Sequence, residues 1–208
     1  MGGFIRGFVA SVALAAVSSA AGANSLTVSP ILVDVQAPKA TTSVTLESSG
    51  TEQINAQVRV FKWTIVNGKD QLVPTKDVVA SPPAIKVKAN GKAVIRIVRR
   101  SKSPVGVEEN YRLIVSEVPK APKIDQGVGI AFQYSIPAFF TPKNADADVQ
   151  WSASVSKGNL VIKAVNNGSR RMRITNLGVK KGSKTMSVST GLSGYVLASS
   201  TRMWVLKG

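Results

Sequence analysis

The chain sets 27 lysines and arginines against 11 aspartates and glutamates and has no cysteine and no histidine in 208 residues. No disulfide can brace its fold, thiol chemistry is excluded, and so is any site built on imidazole, the commonest general base and metal ligand. The formal charge of +16 fits either an anionic partner or a solvated basic surface. Few aromatics lie among the dispersed cations, so the stacking platform of a single-strand nucleic-acid binder is missing and no nucleic-acid partner is expected.

Residues 1–23 read as a secretory signal peptide. Arg6 is the only charge before an Ala- and Ser-rich apolar run, and Ala21 and Ala23 occupy the small-residue positions of a cleavage site. The run is too short to span a bilayer comfortably, and no later stretch approaches about 18 consecutive apolar residues. The expectation is an exported chain without stable membrane insertion.

From residue 24 onward almost every segment alternates with a period of two, the signature of strands. "SLTVSPILVDVQ" (25–36) alternates around a proline, which suits an edge strand that switches partners. "TTSVTLES" (41–48) follows, then "INAQVRVFKWTIV" (54–66), which runs into the hairpin signal Asn67-Gly68. "AIKVKANGKAVIRIVRR" (84–100) is two strands around Asn90-Gly91, and "YRLIVSEVP" (111–119) is another. In "GVGIAFQYSIPAFF" (127–140) Val128, Ile130, Phe132, Tyr134 and Ile136 form a large apolar row, while the alternate positions are small or polar. After "TPKNADADV" the pattern restarts with "NLVIKAV" (159–165), "MRITNLGV" (172–179), "TMSVST" (185–190) and "TRMWVLK" (201–207).

Short strands at regular spacing, with Asn-Gly turns and no sustained helical period, predict an all-β chain. About seven strands precede Thr141-Pro142, the complement of one immunoglobulin-like sandwich. The expected organisation is two immunoglobulin-like β-sandwich domains joined at a proline-containing hinge: residues 24–141, and a smaller C-terminal sandwich over 142–208.

Candidate chemistry is sparse. Ser154 and Lys157 match the S-x-x-K pattern of serine acyltransferases, but that chemistry needs the serine at a helix start, and here the pair leads into a turn between strands with no K-T-G partner. Glu108-Glu109 and Asp146/Asp148 are the acidic clusters; adjacent residues of an extended chain point apart, which does not suit two carboxylates facing one another across a cleft. No catalytic residue, metal site or cofactor is expected.

"SPPAIKVKANGKAVIRI" (81–97), "ENYRLIVSEVP" (109–119), the alternating strand and "PAFFTP" (137–142) occur in an order that resembles the periplasmic pilus-assembly chaperones of the chaperone–usher pathway, closest to the branch serving archaic, spore-coat-U-like pili. The resemblance covers the chain through about Pro142 and extends loosely to the second domain. It implies a periplasmic protein that forms a one-to-one complex with a pilus subunit, lends it a strand and delivers it to an outer-membrane usher. On that reading Val128, Ile130 and Phe132 are the principal plugs of the subunit's groove, with Tyr134 and Ile136 continuing the row. The competing reading of the same row is that it fills its own domain's core.

One departure stands out. Better-known members anchor the subunit's terminal carboxylate with a lysine just before the closing aromatic segment and an arginine in the first strand. Here Pro137 stands at the lysine's place, and "SPILVDV" offers no arginine. If 111–119 runs antiparallel to the donor strand, Arg112 lies near Pro137, so Arg112 is the expected anchor and Arg96 a second candidate; a surface pairing of Arg112 with Glu108 or Glu109 is the alternative. The rival functional readings are a secreted structural pilus subunit or adhesin and, more distantly, an enzyme acting on anionic cell-wall polymer.

Overall fold

Pro30 divides the first predicted strand in two. In a computed structural model, which describes residues 25–119 and 131–207, β1 (Leu26–Ser29) and β2 (Val33–Gln36) join different sheets. β1 pairs antiparallel with β3 (Thr41–Ser48), whereas β2 runs parallel to β10 (Gln133–Thr141). A proline offers no ladder donor, so it sits where the chain leaves one edge for another.

The first sheet has the order β1-β3-β8-β6, with β6 at Val78–Ser81 and β8 at Lys92–Arg99. The second runs β2-β10-β9-β4-β5 through β9 (Glu109–Val118), β4 (Ile54–Val66) and β5 (Lys69–Pro74), and β7 (Ala84–Val87) pairs with the start of β4. Asn67 and Gly68, at φ 51° and 76°, close the β4–β5 hairpin as a two-residue turn of the type the dipeptide predicts. Asn90-Gly91 behaves differently. β7 and β8 flank it but belong to opposite sheets, because Asn90 N–H donates to the Gly50 carbonyl at 3.0 Å and the turn carries the chain across the sandwich.

Between the two sheets the apolar faces interdigitate. Leu26, Leu46, Ile95 and Ile97 from one meet Val33, Val58, Leu113 and Phe140 from the other, all buried. Fully burying each such side chain contributes about 1.5–3 kcal/mol.

The C-terminal part is smaller in its core and more open. β11 (Val149–Ser156), β12 (Asn159–Asn166) and β17 (Ser200–Leu206) form one sheet; β13 (Met172–Thr175) pairs with β16 (Leu192–Val196), and β14 (Gly178–Lys181) with β15 (Lys184–Ser187). Ile162, Ala164, Ile174, Leu177 and Val196 are its buried centre, and Trp151 stacks on Trp204 at 5.7 Å. Lys157 and Gly158, both at positive φ, turn β11 into β12, so Ser154 and Lys157 are not on a helix.

Asn166, 1% exposed, ties the linker to this domain. Its Oδ1 accepts from the Asp148 and Gly168 N–H groups at 3.1 and 2.9 Å, and its Nδ2 donates to carbonyls of Arg170, Val196 and Leu197. A buried amide satisfied on both ends fixes the chain that surrounds it.

The acidic neighbours Glu108 and Glu109 point apart. Glu109 takes a two-pronged bond from the buried Arg99, at 2.8 and 2.7 Å, and a third hydrogen bond from the Tyr111 hydroxyl. Burial pushes the Glu109 carboxyl up, but the hydrogen bond and charge of Arg99 outweigh it and hold the group below the usual carboxylate range. A carboxylate whose folded-state pKa is depressed stabilises the fold above its unfolded pKa and loses that contribution as pH falls through the folded value. Urea unfolding between about pH 6 and pH 3 should therefore show stability falling with acid, and Glu109→Gln should make the fall shallower. An unchanged slope in the variant would contradict the assignment.

Candidate functional site

The alternation of β9 decides where Arg112 goes. Tyr111 and Leu113 enter the core, and Arg112 leaves on the opposite face, flanked across the sheet by Pro137 on one side and Phe61 on the other. Its guanidinium carbon stands 3.9 Å from the centroid of the Trp63 ring, and Nη1 makes a long 3.4 Å contact to the Ser135 carbonyl. No carboxylate among the described residues pairs with it. Glu109 is bound to Arg99 and Glu108 to Arg171, so the alternative pairing of Arg112 is not made.

Trp63 stands at the junction of the two domains. With Phe139, Tyr195 and Leu197 it forms a buried cluster, its ring 5.9 Å from Phe139 and 5.6 Å, edge-on, from Tyr195. Its Nε1 donates to Asp70 Oδ1 at 2.9 Å, and Arg202 from β17 grips the same carboxylate at 2.6 and 3.1 Å. The tip of the β4–β5 hairpin completes the contact: Gly68 is at φ 76°, and a Cβ there would stand 2.8 Å from Met203 Cβ, so glycine suits the hairpin's seat against β17.

This position leaves Arg112 with its charge poorly compensated. Burial pulls its guanidinium below the ordinary value, and nearby Arg202 adds to that, against opposite influences from Asp70 and Tyr195. Arginine remains cationic at such shifts. The result is a partly dry cation with few hydrogen bonds among the described residues, a chemistry suited to pairing with an anion.

A second deep contact holds the domains together. The Glu108 side chain is fully buried; it accepts from the Arg171 backbone N–H at 2.9 Å and from the Arg171 guanidinium, and it lies 2.8 Å from Thr141 Oγ1. Arg171 also reaches Asp34 at 2.6 Å and covers the Phe139 ring at 3.6 Å.

Beside Arg112, β10 has an open edge. Its pairing with β9 runs from Gln133 to Phe140, but β2 covers only Ala138–Thr141. Among the described residues, Gln133–Pro137 therefore has a partner strand on one side alone. Phe132, just ahead of it, is 42% exposed.

The predicted donor row divides at this point. Val128 and Ile130 lie outside the described residues. Ile136, at 3% exposure, belongs to the N-terminal core, and Tyr134 packs against that core while its hydroxyl donates to the Leu26 carbonyl. These two are corrections to the sequence reading: the facing sheet extends over them, so their side chains are already occupied by their own domain. Phe132 lies on the same parity beyond that cover and is free of it. Arg96 is also corrected. It sits on β8 in the other sheet, exposed between the inward-facing Ile95 and Ile97, and not beside Pro137. Sequence reasoning missed Trp63, Asp70, Tyr195 and Arg202. Trp63, Asp70 and Arg202 stand in predicted strands or next to a predicted turn, but nothing in a period of two tells which strands meet across a domain boundary.

A family model described as "Pili and flagellar-assembly chaperone, PapD N-terminal domain" matches residues 25–146. No curated protein's sequence matches this one. Among solved structures the chain is similar to one from the CsuC-CsuE chaperone-tip adhesion subunit pre-assembly complex of archaic chaperone-usher Csu pili of Acinetobacter baumannii, at 28% identity, 88% coverage of both chains and a TM-score of 0.73. The CupB2 chaperone of Pseudomonas aeruginosa shares the fold at 18% identity, 88% coverage of both chains and a TM-score of 0.60. So does a chain of the Salmonella enterica SafA pilin–SafB chaperone complex, at 16% identity, 88% and 85% coverage and a TM-score of 0.61. The chain belongs to the family of pili and flagellar-assembly chaperones that carry the PapD N-terminal domain.

Proposed function

We propose that this protein is a periplasmic chaperone that captures one pilus subunit at a time, completes the subunit's sandwich with a strand continuing β10 toward its N-terminal side, and passes it to an outer-membrane usher. The observation that carries this reading is the one-sided edge of β10 at Gln133–Pro137, with an exposed Phe132 at its head. An open edge offers main-chain hydrogen bonds to an incoming strand, and alternate side chains supply the contacts that select it. Val128, Ile130 and Phe132 are the groove-filling residues in this scheme, each contributing about 1.5–3 kcal/mol on burial. Arg112 takes the subunit's terminal carboxylate. The mechanism needs no bond chemistry, no cofactor and no metal.

Coexpression with pilus subunits tests the proposal. The chaperone should come out as a one-to-one heterodimer, and Phe132→Asp should lose subunit capture with its circular dichroism spectrum unchanged, because Phe132 is not part of its own domain's core. Capture at the wild-type level, loss of fold in the same variant, or a ladder of homopolymers from the protein alone would each overturn it.

A further inference from the structure

Arg112 is not the only basic feature of note in the fold. Beyond β2, the edge strand opposite β5, a cavity of about 870 Å³ opens between residues 37–40, the 99–105 loop and Pro142-Lys143. Lys39, Arg100, Lys102 and Lys143 stand on its wall, all exposed, and none of them has an ion-pair partner among the described residues. Among the described residues, no carboxylate lines it. An adjoining cavity of about 460 Å³ shares Lys39 and Lys143 and includes Asp34, but that carboxylate is already held by Arg171.

The wall is built rather than incidental. Arg99 is buried, and besides its grip on Glu109 it donates from Nη1 to the carbonyls of Ser101 and Ser103 at 2.7 and 2.8 Å. One guanidinium thus folds the 101–103 loop around itself and fixes the position of Lys102. Arg100 N–H donates to the Asp77 carbonyl at 2.7 Å, and Ala37 N–H to the Thr141 carbonyl at 2.9 Å, which hold the other walls. Four like charges on one cavity repel each other, and backbone bonds keep them there. A multiply charged anion would relieve that repulsion.

We propose that this cavity is a binding site for a phosphate-bearing anion. A phosphate group carries up to two charges and three strong acceptor oxygens on one centre, enough to engage several of these cations together, whereas a carboxylate offers two oxygens and one charge. Ala37, Pro38, Val98, Pro104 and Val105 line the remaining wall and leave room for an apolar neighbour of that phosphate. The chemistry is shared by a free phosphate compound and by an anionic lipid headgroup. The site stands apart from the β10 edge and does not depend on subunit capture.

Two probes separate the sources: calorimetric titration of the full mature chain with inorganic pyrophosphate, and flotation with vesicles of phosphatidylcholine with or without phosphatidylglycerol. The expected result is saturable one-to-one binding of pyrophosphate, or flotation that requires phosphatidylglycerol; the first points to a free anion and the second to a headgroup. Either should weaken about tenfold or more in Arg100→Glu/Lys102→Glu, and should fall with added salt. Lys163→Glu, a charge reversal at the exposed position of β12, should bind like the wild type. Lys143→Ala gives a milder second variant, and circular dichroism reports the fold of all of them. The proposal is overturned if neither probe binds, if succinate binds as tightly as pyrophosphate, or if Lys163→Glu weakens binding as much as the cavity variants do.

Discussion

Arg112→Ala is expected to remove subunit capture while leaving the chaperone folded. Arg112 is a desolvated cation stacked on Trp63, with one long hydrogen bond and no carboxylate partner among the described residues. A terminal carboxylate arriving beside Pro137 would complete it, and a buried charge contact of this type costs roughly 2–5 kcal/mol when one partner is truncated. At about 1.4 kcal/mol per factor of ten, that is a loss of at least about 25-fold in affinity. Arg112→Lys keeps the charge but not the planar fork or the stacking, so it should fall between the alanine variant and the wild type. The measurement is the yield of one-to-one complex at matched chaperone levels, repeated with a peptide of the subunit's C-terminus as free acid and as amide. The amide should lose as much binding to the wild type as the free acid loses to Arg112→Ala. If the alanine variant captures subunits normally, Arg112 is not the anchor.

The second large effect concerns the joint between the domains. Glu108→Ala should destabilise the protein by about 3–5 kcal/mol, because removing one member of a buried pair leaves the other uncompensated. Arg171 retains Asp34, which places the expected value at the lower end. The same change strips an acceptor from Thr141 and from the Arg171 backbone N–H, the groups nearest the hinge. Calorimetry should then show the two domains melting less cooperatively. A double-mutant cycle with Arg171→Met isolates the pair: a coupling energy near zero would show that Glu108 acts alone.

Much of this architecture was legible in the chain itself. The period of two, the switch at Pro30 and the Asn67-Gly68 hairpin are local signals, set by side-chain alternation and backbone preference, and each corresponds to an observed feature. The outward direction of Arg112 followed from the same parity, once β9 was placed antiparallel to β10. Other strands were not legible. β5 is exposed along its whole length and carries no apolar alternation, β16 is interrupted by Gly194 at φ 118°, and β6 is four residues long.

By itself the sequence determined the all-β class, the strand-to-strand alternation and the absence of thiol and imidazole chemistry, because each depends on composition or on near neighbours in the chain. Only the tertiary structure decided which of the row's described members, Phe132, Tyr134 and Ile136, are free of their own domain's core. Parity puts them on one face, but how far the facing sheet extends over that face is a long-range matter, and it ends between Tyr134 and Phe132. The same holds for Arg112. Its charge and direction are local, whereas its want of a partner depends on Arg99 and Arg171 having claimed Glu109 and Glu108 from distant parts of the chain. Pairing across a fold is a competition among all the charges that packing brings within reach, and only the folded chain settles it.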